Sequence, residues 1–315
     1  MSFLNSVWLL YFVIFCIGII FLGYKYFTRH FDYWKKRGVY TSKPVPFFGS
    51  LYDVATFKLP LYELVKKLHD ETDEPYFGMF LFDKPILVVK SPKLVKDILI
   101  KDFNTFDRDL LVSNAIFLLI AGTETSASII SFALYELALH PGIQGKLRNE
   151  IKDNYEMYKG FTYEGVLKNK YLDMVIHETM RKYAVLPFMD REAITDYRLE
   201  GTDLVIEKGM IVYIPLFAIM RDSKYFPNPE QFDPDRFADN NYNSDGLVYF
   251  PFGEGPKACI GKRLGLLAVA SCLSHILLNF NIEKCENTPD PVEFEKKSFA
   301  LQSKCGLPIT FSRLP

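Results

Sequence analysis

The residue types best suited to unusual chemistry lie in one short stretch, Phe252-Gly253-Glu254-Gly255-Pro256-Lys257-Ala258-Cys259-Ile260-Gly261, directly before a long helical pattern. A thiolate ligand needs positive potential and hydrogen-bond donors, and a cysteine at a helix start receives both from the dipole and the free backbone N–H groups. Gly253 and Gly255 permit a tight turn that brings backbone close to a flat cofactor; Gly261 lets the helix lie near it, and Phe252 can shield the sulfur. The competing reading is a structural cysteine after a glycine-rich turn, because free cysteine packs as a small hydrophobe.

Two further groupings carry polar residues where helical spacing makes them neighbours. Glu178 and Arg181 stand three apart in a helical pattern, Tyr171–Tyr183, that is apolar at Leu172, Val175 and Ile176. The i,i+3 spacing puts both charges on one face, and Phe232-Asp233-Pro234-Asp235-Arg236-Phe237 offers a second arginine downstream. Exposed pairs of this kind are worth little, whereas removing one member of a buried pair costs roughly 3–5 kcal/mol. In a separate helix, Ala121-Gly122-Thr123-Glu124-Thr125 holds a glycine that costs about 1 kcal/mol against alanine. It therefore needs a packing or functional reason, and a close helix crossing is one.

The Cys259 stretch closely resembles the haem-binding loop of the cytochromes P450, whose pattern Phe-x-x-Gly-x-Arg-x-Cys-x-Gly is met at every fixed position except Lys257, where arginine is usual. The resemblance implies haem b as cofactor, Cys259 as its axial iron ligand, and Phe252, Gly253 and Gly261 as parts of the cofactor loop. It makes Lys257 and Arg191 the partners of the haem propionates, with lysine offering a point charge where arginine offers a planar fork. By the same resemblance Glu178, Arg181 and Arg236 form a structural triad behind the loop. Gly122 leaves room for oxygen on the distal side, and Glu124 and Thr125 deliver protons. The run Ala218-Ile219-Met220-Arg221-Asp222 to Phe237 is similar to the meander of insect-type microsomal members, although Ala184 stands where proline is common. The activity implied is monooxygenation of lipophilic small molecules with molecular oxygen and NADPH-derived electrons, passed on by a membrane-bound NADPH-cytochrome reductase.

The elements that must position these residues read as mainly α with a small antiparallel β-sheet. A short amphipathic helix is expected over Leu59–His69, a hairpin from Tyr76–Phe82 and Pro85–Val89, and a helix capped by Ser91 with Pro92 in its first turn. A central helix runs Asn114–His140; its first half, Ala115–Ala121, is apolar on every face and so belongs in a protein interior. Helices over Ile143–Tyr158 and Tyr171–Tyr183 follow, then a small antiparallel sheet within Arg191–Pro215 and a last long helix over Cys259–Asn279.

The chain has 315 residues, with 37 Lys+Arg balanced by 38 Asp+Glu, which gives no support to nucleic-acid binding. Its five cysteines form no CxxC pair, which argues against a zinc knuckle or a disulfide framework. Ser2 to Tyr24 carry no charge, and Lys25, Arg29, Lys35, Lys36 and Arg37 follow. At ~1.5 Å per residue the apolar run nearly crosses a ~30 Å hydrocarbon core. Residues 1–24 therefore read as a single transmembrane anchor, with the body cytoplasmic by the positive-inside rule; the resemblance to microsomal members implies the endoplasmic reticulum membrane. A cleaved signal peptide lacks its basic start and small-residue cleavage site here. Residues 25–50 form a basic, proline-rich connector, and residues 51–315 the haem-thiolate domain.

That domain shows an apparent deletion near 108–114. The cytochromes P450 place a loop and a helix bearing Trp and Arg haem contacts after the equivalent of Phe106-Asp107-Arg108, then a series of lid helices; here the sequence passes straight into the central helix. The chain's two tryptophans are Trp8 and Trp34, so the haem-clasping Trp is absent. The loss should uncover apolar faces of the central helix. The rival to an enzyme is a non-catalytic, truncated membrane-anchored paralogue or splice product with weak or no haem binding.

Overall fold

The structure, a computed structural model, describes Gly18 and residues 21–102, 114–239, 247–298 and 300–314, with the side chains of 114–120 excepted. The anchor expected over 1–24 and the break near 108–114 therefore lie largely outside the described residues. Among those described, no helix is long and apolar enough to cross a membrane.

The longer helices are α1 (Leu61–Asp70), α2 (Asn114–Leu139), α3 (Pro141–Met157), α4 (Lys170–Lys182) and α5 (Lys262–Asn279). The strands are β1 (Tyr76–Leu81), β2 (Lys84–Val89), β3 (Met189–Glu192), β4 (Tyr197–Arg198), β5 (Val205–Ile206), β6 (Ile211–Ile214), β7 (Phe280–Lys284) and β8 (Ile309–Arg313). A mainly helical chain with small sheets is what the sequence predicts. The four-stranded sheet, ordered β1-β2-β6-β3, is mixed, because β2 pairs β6 in parallel while its other pairings are antiparallel. Only a contact across more than a hundred intervening residues makes that parallel pair, so local alternation cannot reveal it.

Local sequence explains the boundaries. Leu61, Leu64, Val65 and Leu68 share a helical face, and the last three are buried in α1. Pro141 occupies the first turn of α3, where its missing N–H is not needed, so it opens that helix as well as closing α2. Gln144 on α3 donates to the Ile282 carbonyl (2.7 Å) and accepts from the Ile282 amide (3.0 Å), fixing the β7–β8 hairpin to the helices. Ahead of α1, the Trp34 ring lies over Gly78, where a Cβ would come within 2.4 Å of it, and its indole donates to the Met79 carbonyl (3.1 Å). The connector is thereby fixed against the β1–β2 hairpin.

The interior position expected for Ala115–Ala121 falls on side chains outside the described residues except at half-buried Ala121. The second half of α2, Phe132 to Ala138, is buried, but Gly122, Thr123, Glu124 and Ala127 are exposed. On α5, Leu264 is 72% exposed, and Ile260 just before the helix is 90% exposed. An apolar helix becomes interior only when something covers it, and no described element lies over these faces.

Candidate haem-thiolate site

The cysteine loop is held by its own backbone and by two glycines in left-handed conformation. The Cys259 amide donates to the Phe252 carbonyl (2.8 Å), and the Gly253 amide to the Phe250 carbonyl (2.9 Å). Gly253 has φ +70° and Gly255 φ +80°, a region costly for residues with a Cβ. A side chain on Gly255 would also come within 2.0 Å of the Leu99 carbonyl, so the loop lies directly on the π-helical turn Asp97–Lys101. On its other side Gly253 abuts the Met189 sulfur at the start of β3. Phe252 is half-buried against the core.

Cys259 does not sit inside the helix as the sequence suggests. Helix α5 begins at Lys262 with Gly261 as N-cap, because the loop's closing bond to Phe252 keeps the cysteine out of the helical ladder. Its thiol is exposed, and its sulfur would lie 3.8 Å from a Cβ built on Gly261. One turn on, ~5.4 Å along the axis, Gly265 faces the Ser126 hydroxyl of α2, 3.9 Å from the Cβ position. Gly265 thus seats α5 against Ser126 in the small-residue stretch of α2.

Within that stretch of α2, a Cβ on Gly122 would meet nothing within 4 Å. No helix crossing among the described residues accounts for this glycine. Thr125 donates to the Ala121 carbonyl (2.6 Å), and the exposed Glu124 carboxylate accepts from Gln302 (3.1 Å). Arg191 lies half-buried on β3, opposite Val212, and donates to the Asp190 carbonyl (2.8 Å). Lys257 is at the exposed end of the cysteine loop.

Glu178, Arg181 and Arg236 converge. Arg181 makes a bidentate pair with Glu178 at 2.7 and 2.9 Å, and both are fully buried. Arg181 also donates to the carbonyls of Met220 (2.9 Å) and Pro229 (2.7 Å), and the Asp233 amide donates to Glu178 (2.9 Å). Arg236 stands 3.5 Å from Glu178, an ion-pair contact and not a hydrogen bond. This network staples the segment from Met220 to Phe237 to α4.

Sequence reasoning missed a second buried network. Glu136, near the end of α2, has no exposed surface and accepts from Lys182 (2.7 Å) and Tyr183, with His140 at 3.3 Å. The signal was a lone acid inside the apolar run Phe132–Leu139. The network lines a cavity of about 800 Å³ together with Arg221, Glu230 and the Asp290–Phe294 loop; Cys259 does not line it.

Comparison with known proteins decides the family. The family model for cytochrome P450 matches residues 102–307. The chain belongs to the cytochrome P450 family. It is 45% identical over 208 residues to cytochrome P450 6k1 of Blattella germanica, covering 65% of this chain and 40% of that protein. With cytochrome P450 6j1 of the same species it shares 44% over 209 residues, covering 66% and 42%. With mouse cytochrome P450 3A13 it shares 40% over 188 residues, covering 59% and 37%. The matched region spans about two-fifths of these P450 relatives.

The residues present suit the prosthetic group of this P450 family. The sulfur is accessible, the turn beside it tolerates only glycine, and Gly122 leaves open space on the neighbouring helix.

Proposed function

We propose that the chain is a haem-thiolate monooxygenase acting on lipophilic small molecules, with electrons drawn from NADPH through a membrane-bound reductase and with residues 1–24 as its anchor in the endoplasmic reticulum membrane. The observation that carries this is the exposed Cys259 at the approach to α5, the helix that packs at Gly265 against Ser126 of α2.

Cys259 would hold the iron from one side, and the cationic Lys257 and Arg191 would hold the propionates. Haem, when bound, supplies the iron at which oxygen is activated, and an anionic sulfur ligand favours O–O cleavage. Gly122 keeps a side chain out of the space beside α2. The exposed Glu124 can take protons from solvent, and the Thr125 hydroxyl, turned toward the Ala121 carbonyl one turn back, can receive one and pass it inward. Gln302 orients the Glu124 carboxylate for that transfer.

A second reading has its own observation. Ile260 and Leu264, beside Cys259, are 90% and 72% exposed among the described residues, and an open site holds a flat apolar cofactor poorly. This favours a non-catalytic, truncated chain. The test is NADPH-dependent oxidation of a lipophilic probe in reductase-containing membranes, compared with Cys259→Ala. Turnover lost with the sulfur supports the enzyme; equal signals from the two chains remove it.

A further inference from the structure

The cavity of about 800 Å³ at the ends of α2 and α4 has a charged, buried floor. Glu136 has no exposed surface there, and Arg221 is 8% exposed. Charge in such a place needs partners, because water no longer solvates it. Two of these groups are incompletely matched. One Glu136 oxygen accepts from Lys182 at 2.7 Å and from Tyr183, but the other, Oε2, accepts no hydrogen bond among the described residues. His140 Nδ1 stands 3.3 Å from Oε2, yet it bonds to the Glu136 backbone carbonyl at 2.9 Å.

Arg221 is the second group. Its Nε and Nη2 both donate to the Lys182 carbonyl, at 3.0 and 2.7 Å. Its one carboxylate partner among the described residues, Glu230, is 66% exposed and meets only Nη1, at 3.1 and 3.0 Å. An ion pair with one member in water is weakly held, so Glu230 can exchange for another carboxylate. The Lys182 ammonium has three donors and makes one hydrogen bond among the described residues, to Glu136.

This floor offers one acceptor beside two cations with donors to spare. A carboxylate suits the cations, because Arg221 already takes that of Glu230. A neutral hydroxyl suits Glu136 Oε2, because Oε1 already takes the Tyr183 phenol, whereas an ammonium would be repelled by Lys182 and Arg221. Phe232 and Phe294 line the same space, with the Phe294 ring edge-on to Tyr183 at 6.3 Å, and give a carbon skeleton an apolar wall. At the mouth Glu293 is paired with Lys304 at 2.9 Å and Lys296 offsets Glu63, so these acids do not bar an anion. A volume of this order holds a drug-sized molecule.

We infer that this cavity binds a hydroxylated organic acid with an aromatic skeleton, whose carboxylate replaces Glu230 on Arg221 and whose hydroxyl donates to Glu136 Oε2. Lys182 supplies the second positive charge for the carboxylate. Cys259 does not line the cavity, so binding there needs neither haem nor turnover.

The test is isothermal titration calorimetry of the full chain at neutral pH with three probes: para-hydroxyphenylpropionate, its methyl ester and phenylpropionate. The inference predicts one-to-one binding of the hydroxy acid, weaker binding of the ester by about tenfold or more, and several-fold weaker binding of phenylpropionate. Glu230→Gln, at an exposed position that leaves the fold intact, should tighten the hydroxy acid several-fold and leave the ester unchanged, because it removes the internal competitor. No binding of the hydroxy acid to either chain would overturn the inference. So would equal affinity for acid and ester, or affinity that Glu230→Gln does not alter, which would place the acid elsewhere on the molecule.

Discussion

The Lys182 ammonium lies 2.7 Å from a Glu136 carboxylate that has no exposed surface, joining the end of α2 to the end of α4. Burial alone would push the Glu136 carboxyl up, but His140, Lys182 and Tyr183 together outweigh it and hold it below its ordinary value of 4.5. The hydrogen bond to Glu136 in turn raises His140 above 6.5, against its own partial burial. A depressed carboxyl stabilises the fold above its unfolded value and loses that contribution as pH falls. A raised histidine stabilises below its unfolded value and loses its contribution as pH rises through the folded one. The cluster should therefore contribute most between pH 4.5 and 6.5. Thermal melting across pH should show both limbs in the natural chain and lack them in Glu136→Gln; parallel curves would contradict the assignment.

Arg181 and Arg236 both reach Glu178, but at bidentate and at 3.5 Å geometry respectively. Arg181→Ala leaves a buried carboxylate without its principal partner and should cost roughly 3–5 kcal/mol. Arg236→Ala should cost clearly less. Urea unfolding of the two variants gives the order, and equal losses would show that the contact geometry does not set the energetics.

Two glycines should respond to alanine with opposite signs. Gly122→Ala meets open space and replaces a helix-interior glycine, so it should add up to about 1 kcal/mol of stability. Gly255→Ala meets the Leu99 carbonyl and a left-handed backbone, and should destabilise by about 1–3 kcal/mol or more. Calorimetry on both settles the signs. If Gly122 faces the cofactor, its stabilised variant should also take up haem less well.

Lys257→Arg should tighten haem binding, because a planar fork can grip a carboxylate through two hydrogen bonds where an ammonium offers a point charge. Haem titration followed by absorbance checks this. Unchanged affinity would place Lys257 away from the propionates.

Much of this arrangement is legible along the chain because it depends on near neighbours. Periodicity gives the helices to within a few residues, and Glu178 with Arg181 is a pair that one helix face brings together by itself. What escapes is what distance in sequence supplies. Local alternation says nothing of the parallel pairing of β2 with β6, or of the Leu99 carbonyl against Gly255. Three residues separate the expected start of the last helix at Cys259 from its actual start at Lys262, since a backbone bond to Phe252 competes for the cysteine amide. Glu136 was visible as a lone acid in an apolar run, but its partners lie on another helix.

The central claim, that Cys259 is the iron ligand, is tested most directly by the absorption spectrum of the reduced, carbon-monoxide-treated chain in membranes, set against Cys259→Ser. The account predicts the red-shifted Soret band of a thiolate-bound iron in the natural chain and its loss in the variant. Identical spectra from the two chains, or no uptake of haem by the natural one, would contradict it.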